Sequence, residues 1–277
     1  MLEFALRRAV ATLEDAESLA GIEAATLGDS DLTSSEMLAV LAQPNQYVYL
    51  AHAGTQCIGM LATFETPTFS GPRLELDMLG VAPDWRGQGV ARSLVKCAVA
   101  EGQGRGCVAF RAVVATDNPA SRRVFERCGL HAEAPTCHLL TRVLAGYEPS
   151  PALPDGWSSE WVADLGGGAW AVDGWSWRMP GHHGLGVMDE RRTHVASLAL
   201  LYVSTIAYAG YWVERATAST DTAARVAMLV AAEQAKIARL DEVGVLVPAG
   251  DRFLVAALDA GYDLIGDYDR MVMNERV

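Results

Sequence analysis

The sequence predicts a mixed α/β protein with two related domains in tandem. Three observations support this prediction: strand-like and helix-like hydrophobic patterns alternate along the chain, their order recurs in the second half, and the composition changes near the middle. All five cysteines lie in the first half, whereas six of the seven tryptophans lie in the second. A chain of 277 residues, of which 51% are hydrophobic, is long enough for one or two packed domains.

The elements of the first half have recognisable ends. Thr33 and Glu36 have the spacing of a capping box, Asn118-Pro119 suits the start of a helix, and Gly129 suits its end. The order of elements implies at least one parallel strand–helix–strand crossover. The predicted elements are a strand at 4–9, helices at 12–27 and from 34, strands at 46–52, 57–63 and 74–81, a helix ending near 103, a strand at 107–115, a helix at 119–128 and a strand at 138–144.

The second half repeats the end of the first. Ala91-Arg92 recurs as Ala224-Arg225, an offset of 133, and Cys128-Gly129-Leu130 corresponds to Ala260-Gly261-Tyr262, an offset of 132. We therefore predict domains at 1–145 and 146–277, in which 146–190 forms a proline-containing linker and a tryptophan-rich segment. The later predicted elements are strands up to 216, a helix at 222–240, a strand at 243–247, a helix at 251–260 and a strand at 268–273.

The charge balance narrows the class of partner. Lys and Arg total 22 against 34 Asp and Glu, a net charge of −12, which argues against nucleic acid and against an anionic membrane. It favours a cationic substrate. The five scattered cysteines include no CxxC pair, so we expect a reducing, cytoplasmic setting without a disulfide framework. His182, His183 and His194 lack metal-ligand spacing, so no metal is expected.

One uncharged stretch needs a membrane test. Residues 195–213 contain no charged side chain over 19 positions, which is near the length of a membrane span. The stretch is rich in Val, Ile and Tyr, and it takes the place of strands in the repeat. We therefore favour two buried strands.

The sharpest local pattern is a glycine-rich turn between the strand 74–81 and the next helix. It reads Val81-Ala-Pro-Asp-Trp-Arg86-Gly87-Gln88-Gly89-Val90-Ala91. Glycines let a backbone approach a ligand, and the N–H groups at a helix start suit a pyrophosphate. A dinucleotide fold would need a small residue where Arg92 stands, and a Walker A loop would need Gly-Lys-Ser/Thr.

This pattern resembles the GNAT superfamily of acetyl-CoA-dependent N-acetyltransferases. The family motif Gln/Arg-x-x-Gly-x-Gly/Ala is met by Arg86, Gly89 and Ala91. Asn118-Pro-Ala-Ser121, followed by Phe125, looks like the second cofactor-contacting helix of the family. The resemblance is strong over about 4–144 and holds only in outline over 190–277, so the chain looks like a tandem member with a degenerate C-terminal half.

The resemblance implies a cofactor site for acetyl-CoA. The backbone at Leu79 and Val81 would pair with the pantetheine arm, and Asn118 and Ser121 would contact it. The thioester would lie where two parallel strands splay apart, with a strand N–H near 79–81 on the oxyanion. The backbone N–H groups that would hold the pyrophosphate are those of Arg86, Gly87, Gln88, Gly89, Val90 and Ala91.

The sequence departs from the family pattern at one position and leaves another role open. Family members often have a Tyr that protonates the CoA thiolate, and here that position is Phe125. Glu75 and Asp77 alternate on one face of the strand before the turn. Either could serve as general base, directly or through water, and both could equally be solvated carboxylates at a strand edge.

The second half lacks the glycine-rich turn. By the repeat, Arg86, Gly87 and Gly89 map near Ser219, Thr220 and Thr222, so we expect this half not to bind acetyl-CoA. Its tryptophans at 157, 161, 170, 175 and 177 could form aromatic walls for a substrate or could pack the linker onto the domain.

Together these features predict an N-acetyltransferase that transfers the acetyl group of acetyl-CoA to a primary amine by direct attack on the thioester. A small molecule is favoured as the acceptor over a peptide. The alternative is a catalytically weak acetyl-CoA-binding pseudoenzyme with a sensing or scaffolding role. A homodimer is left open.

Overall fold

A computed structural model describes residues 3–28, 33–68, 70–144, 153–162, 182–206 and 208–274. These residues form two compact units. The first unit takes its residues from 1–134, 205–207 and 269–277, and the second from 135–204 and 208–268. The predicted domain boundary at 145 comes from the sequence repeat and stays a prediction. Residues 145–152, at the start of the predicted linker, lie outside the described residues.

The first unit has helices on both faces of a sheet. Its strands follow the order β1-β2-β3-β4-β5 and then the end of β12. Its elements are β1 (Ala5–Arg8), α1 (Leu13–Leu27), α2 (Ser34–Leu41), β2 (Gln46–Ala53), β3 (Gln56–Thr68), β4 (Gly71–Val81), a 3₁₀ turn (Pro83–Trp85), α3 (Val90–Gly104), β5 (Ala109–Ala115) and α4 (Pro119–Arg127).

The second unit has the strand order β7-β8-β9-β10-β11-β6. Strand β6 (His131–Val143) begins in the first unit and continues in the second, and β12 (Asp263–Asn274) does the reverse. The remaining elements are β7 (Ser158–Val162), β8 (His182–Met188), β9 (His194–Ser204), β10 (Ala209–Ala218), α5 (Asp221–Ile237), β11 (Glu242–Pro248) and α6 (Phe253–Asp259).

Each unit contains a parallel crossover beside antiparallel strand pairs. In the first, α3 joins the parallel strands β4 and β5. In the second, α5 joins the parallel strands β10 and β11. The predicted mixed α/β class and its crossover are confirmed.

Local signals placed most element ends correctly. Thr33 and Glu36 form the predicted capping box, and Gly129 ends α4 with φ 96°. The strand predicted at 138–144 begins earlier, at His131, because Pro135 interrupts the pattern on which the prediction rests. The uncharged stretch 195–213 forms the antiparallel pair β9 and β10, as predicted. In the described part of the chain, no helix is long and apolar enough to cross a membrane.

The two crossovers share a β-bulge on the strand before the helix. In β4, Leu76 and Met78 pair with the consecutive residues Thr63 and Ala62, so Asp77 is an extra residue. In β10, Val213 and Arg215 pair with the consecutive residues Leu200 and Ala199, so Glu214 is the extra residue. The repeat therefore extends to the local geometry of the strands, and each bulge carries an acidic side chain.

Candidate active site

Strands β4 and β5 open into a wedge after a short paired segment. Arg73, Leu74 and Glu75 pair with Ala109, Phe110 and Arg111. All residues of both strands are described, and β4 continues to Val81 and β5 to Ala115 beyond these pairs. From Leu76 onward, the edge of β4 that faces β5 therefore has backbone groups without a partner in β5. This is the kind of splayed parallel pair that the resemblance implied.

The bulge changes which face of the sheet the β4 side chains meet. Leu76, Leu79 and Val81 pack into the core under α3 and α4, whereas Met78 packs into the core under α1 and α2. Between Leu76 and Leu79, which both face α3, the chain has two residues, Asp77 and Met78, instead of one. The bulge thus keeps Asp77 on the face covered by α1 and moves Leu79 and Val81 to the face covered by α3.

Asp77 keeps solvent access although protein atoms surround it. Its side chain is exposed, whereas Leu76 before it is buried. Desolvation raises the pKa of Asp77 to about 6, the negative charge of Glu75 adds to the rise, and a hydrogen bond from Thr205 opposes it. An accessible carboxyl in dense surroundings is typical of a cleft.

Glu75 has different surroundings. It is 5% exposed, and its carboxylate accepts hydrogen bonds from Arg73 Nε at 2.5 Å and Arg111 Nε at 2.8 Å. Both oxygens therefore face guanidinium groups, which hold the carboxylate in place. Glu75 and Arg111 are also Cα partners in the last recorded pair of β4 and β5, so this cluster lies where the wedge opens.

The glycine-rich turn follows β4 directly and is exposed. Gly87 and Gly89 have φ of 76° and 87°, which L side chains rarely adopt. The turn is held by its own side chains: Arg86 Nε donates to the Val81 carbonyl at 3.1 Å, and Gln88 Nε2 donates to the Asp84 carbonyl at 2.9 Å. The Arg86 N–H donates to the Pro83 carbonyl at 3.2 Å, so it is already used within the turn and the prediction that it holds a pyrophosphate is wrong for this group. Gly87, Gln88 and Gly89 form the exposed part of the preformed loop.

Helix α3 begins with an open N-terminus. Gly89 is its N-cap and has no side chain, and the first backbone bond runs from Ser93 N–H to the Gly89 carbonyl at 2.9 Å. The N–H groups of Val90, Ala91 and Arg92 precede that bond and point out of the helix end. Its first turn contains no acidic residue, so this end of the helix suits an anion.

Packing fixes the start of α3 on the sheet. Val90 is buried, and a Cβ placed on Gly59 of β3 would lie 3.0 Å from its Cγ1. A side chain at Gly59 would therefore push the turn away from β4. The glycine is thus part of what positions the predicted pyrophosphate loop, although the sequence pattern gave no sign of it.

The corresponding connection in the second unit is built differently. Only Ser219 and Thr220 separate β10 from α5, whereas residues 82–89 separate β4 from α3. Thr220 caps α5 by accepting from Ala223 N–H at 3.1 Å, and Asp221 places a negative charge in the first turn. A capped, acidic helix start disfavours a pyrophosphate.

Helix α4 presents the other predicted cofactor contacts. Asn118 is the N-cap, and its Oδ1 accepts from Ser121 N–H at 3.1 Å. Both residues therefore lie at the start of the helix, as predicted, and the amide Nδ2 remains as the donor for a ligand. Phe125 is 3% exposed in the core beneath α3 and has no proton to donate.

Other predicted features belong to the second unit or lie outside the described residues. Trp157 packs partly buried against the core of the second unit, and Trp161 is exposed with its ring centroid 5.6 Å from that of His183. Trp170, Trp175 and Trp177 lie outside the described residues. Among the described residues, no group of three His, Cys, Asp or Glu side chains could hold a metal ion.

Residue Thr205 was missed by sequence reasoning. It comes from the connection between β9 and β10, far from Asp77 in the chain, and it is counted with the first unit by its packing. No local signal marks it, because its role depends on a contact made only in the folded chain.

Comparisons with known proteins agree with this geometry. Residues 13–130 match the model of the acetyltransferase (GNAT) family. A tandem GNAT protein from the clavulanic acid biosynthesis pathway superposes with a TM-score of 0.61 at 14% identity, over 99% of both chains. A GCN5-related N-acetyltransferase from Sphaerobacter thermophilus has a TM-score of 0.64 at 15% identity, over 99% of this chain and 96% of that one.

A third structure matches one region of a larger protein. The GCN5-related glucosamine N-acetyltransferase region of a fungal multi-domain GH3 β-N-acetylglucosaminidase has a TM-score of 0.63 at 14% identity, over 99% of this chain and 38% of that one. No curated protein matches the sequence. Residues 13–130 therefore belong to the GNAT family of acetyltransferases, and the chain as a whole has the tandem GNAT fold.

Proposed function

We propose that this protein transfers an acetyl group from acetyl-CoA to a primary amine, on a small molecule or a peptide, by direct attack on the thioester. The observation that carries the proposal is the position of Asp77. Its accessible carboxyl lies on the strand that borders the β4–β5 wedge, and the same strand leads into the glycine-rich turn. A proton acceptor and an anion-binding turn are thus placed at one strand.

The chain offers a suitable binding site for acetyl-CoA, which supplies the activated acyl group. The edge of β4 that faces the wedge can pair with the pantetheine arm near Leu79 and Val81 like an added strand. The N–H groups from Gly87 to Ala91 can hold the pyrophosphate, and Asn118 Nδ2 can donate to the arm. A backbone N–H of β4 on the side of the wedge can stabilise the developing oxyanion.

Asp77 fits the role of general base. A primary amine has a pKa near ~10.4 and must lose a proton before or during attack. With a pKa of about 6, Asp77 is ionised at neutral pH and is a stronger base than an ordinary aspartate. The amine proton passes to Asp77, directly or through water, as the new C–N bond forms and the C–S bond breaks. Thr205 orients the carboxylate through its hydrogen bond.

Glu75 supports the site in a different way. Glu75 is 5% exposed and each of its oxygens accepts from an arginine, so it is less accessible to a substrate amine than Asp77. Its negative charge contributes to the raised pKa of Asp77. We therefore assign Glu75 a positioning role at the origin of the wedge.

The leaving thiolate has no acid at the position of Phe125. A thiol with a pKa of about 8.5 can leave as the anion. Phe125 is also the observation that favours the second candidate, a pseudoenzyme that binds acetyl-CoA and acts as a sensor or scaffold.

Release of CoA with a panel of amines tests the two candidates. The panel contains monoamines, diamines, aminosugars, amino acids and short peptides, and product is identified by mass spectrometry. We expect at least one amine to raise CoA release above hydrolysis, and Asp77→Asn to suppress that increase. If acetyl-CoA binds and no amine raises release, the catalytic proposal is wrong and the pseudoenzyme is favoured.

A further inference from the structure

Glu23 is an exception among the buried acidic side chains. Asp15, Glu75 and Asp269 are also buried, and each faces an arginine. Glu23 on α1 is 6% exposed, and its Oε2 is buried without a hydrogen-bond partner. A buried carboxylate oxygen without a donor destabilises the folded chain. A side chain kept in that state suggests a partner that the chain itself does not supply.

Helix α1 crosses the sheet from β1 to β4. Near its start, Asp15 pairs with Arg7 of β1. Near its end, Thr26 lies against Gly80 of β4, where an added Cβ would lie 2.2 Å from its Oγ1. The last turn of α1, which includes Glu23, therefore lies over the part of β4 that follows the bulge.

The helix side that contains Glu23 packs partly into the core that α1 shares with α2. Ala16, Ala20 and Glu23 occupy positions i, i+4 and i+7, which share one side of a helix. Ala16 and Ala20 pack into the core that α1 shares with α2, and this core also contains Met78 and Ile206. Met78 follows Asp77 in the chain and Ile206 follows Thr205. This helix side and the Asp77–Thr205 pair thus border the same region.

We propose that Glu23 binds a second cationic group of the acceptor, so that the acceptor class is a molecule with at least two amino groups. This inference rests on the proposed acetyl transfer. One ammonium group donates charge-assisted hydrogen bonds to Glu23, while the other amine, as the neutral base, gives its proton toward Asp77. The acceptor supplies the donor that Oε2 lacks, and the net charge of −12 favours its approach.

Matched amines test the selectivity. We measure kcat/KM for unbranched α,ω-diaminoalkanes of about three to eight carbons and for the monoamines of equal length, and we do so for the native protein, Glu23→Gln and Glu17→Gln. Glu17 lies exposed on the same helix and is the control. We expect at least a tenfold preference for one diamine, a loss of most of that preference in Glu23→Gln, and no change in Glu17→Gln. A native protein without diamine preference, or a Glu23→Gln variant that keeps it, would overturn the inference.

A binding readout separates this inference from the proposed function. The rise in Tm caused by the same diamines is measured without acetyl-CoA, with the monoamines as reference. We expect a larger rise with the diamine in the native protein and equal rises in Glu23→Gln, which itself should melt higher because an unpaired carboxylate is removed. If no amine is acetylated but this difference is present, the proposed function fails and the Glu23 site stands. If the difference is absent, the Glu23 site fails whether or not acetylation occurs.

Discussion

The pH dependence of acetyl transfer examines the role of Asp77 most directly. The perturbation is Asp77→Asn, which keeps the shape of the side chain and its hydrogen bond to Thr205 while removing the basic group. General-base catalysis contributes a factor of about 10²–10⁴ to a rate, so we expect kcat/KM at pH 7.5 to fall by that amount. Asp155→Asn, at an exposed position in the second unit, is the control and should leave the rate unchanged.

The magnitude of the pH effect follows from the pKa. With a pKa of about 6, Asp77 is about 97% ionised at pH 7.5 and about 9% ionised at pH 5. An ordinary aspartate with a pKa near ~3.9 would be about 93% ionised at pH 5. The amine substrate, with a pKa near ~10.4, adds a tenfold rise per pH unit over this whole range. The logarithm of kcat/KM should therefore rise with slope two below pH 6 and slope one above it.

The assay is CoA release at subsaturating amine from pH 4.5 to 9. The ratio of native to Asp77→Asn rates removes the contribution of the amine and should inflect near pH 6. A native profile with slope one throughout, or an unchanged inflection in Asp77→Asn, would show that Asp77 is not the base.

The thermal stability of the protein gives an independent measurement of the same pKa. A pKa raised in the folded state means that the ionised carboxyl destabilises the fold above pH 6. Asp77→Asn should therefore gain more Tm relative to the native protein at pH 8 than at pH 4.

Three further substitutions examine the surroundings of Asp77. Gly89→Asp should abolish acetyl-CoA binding in calorimetry, since it strains a positive φ and adds a charge at the pyrophosphate; Gly54→Asp, which has the same kind of φ and open space, is the control and should bind normally. Thr205→Val should move the inflection near pH 6 upward, because the lost hydrogen bond favours the ionised form, and Thr205→Ser should restore it; an unmoved profile would contradict the contact. Glu75→Gln should lower the free energy of unfolding in urea by about 1–3 kcal/mol because the two guanidinium groups lose a buried charged acceptor, and an unchanged stability would mean that the pairs contribute little.

The parts of the site that depend on local sequence could be predicted. Two glycines between a strand and a helix indicate the turn from Arg86 to Ala91, and Asn118-Pro119 indicates the start of α4. In both cases the residues that make the structure are neighbours in the chain. Local hydrogen bonding and φ preferences therefore decide the outcome, and few alternatives compete.

The bulge at Asp77 could not be predicted in the same way. Strict alternation would place Asp77, Leu79 and Val81 on one face of β4, whereas the extra residue sends the last two to the α3 face. That change of register is set by pairing with β3, and no residue type in the strand encodes it. Thr205 and Glu23 were missed for a related reason. Thr205 matters because it donates a hydrogen bond to Asp77 in the folded chain, and Glu23 matters because its buried Oε2 has no donor there.

A comparison of the two halves predicts which feature decides cofactor binding. It repeats the parallel crossover and even the acidic bulge, with Glu214 in the place of Asp77, so neither feature separates the halves. What differs is the connection: a long glycine-rich turn and an uncapped helix in the first half, two residues with a Thr220 cap and Asp221 in the second. We therefore predict one acetyl-CoA per chain in a calorimetric titration and none in Gly89→Asp. Two acetyl-CoA sites in the native chain, or one site that survives Gly89→Asp, would mean that splayed parallel strands are enough to bind acetyl-CoA. The turn would then only raise the affinity.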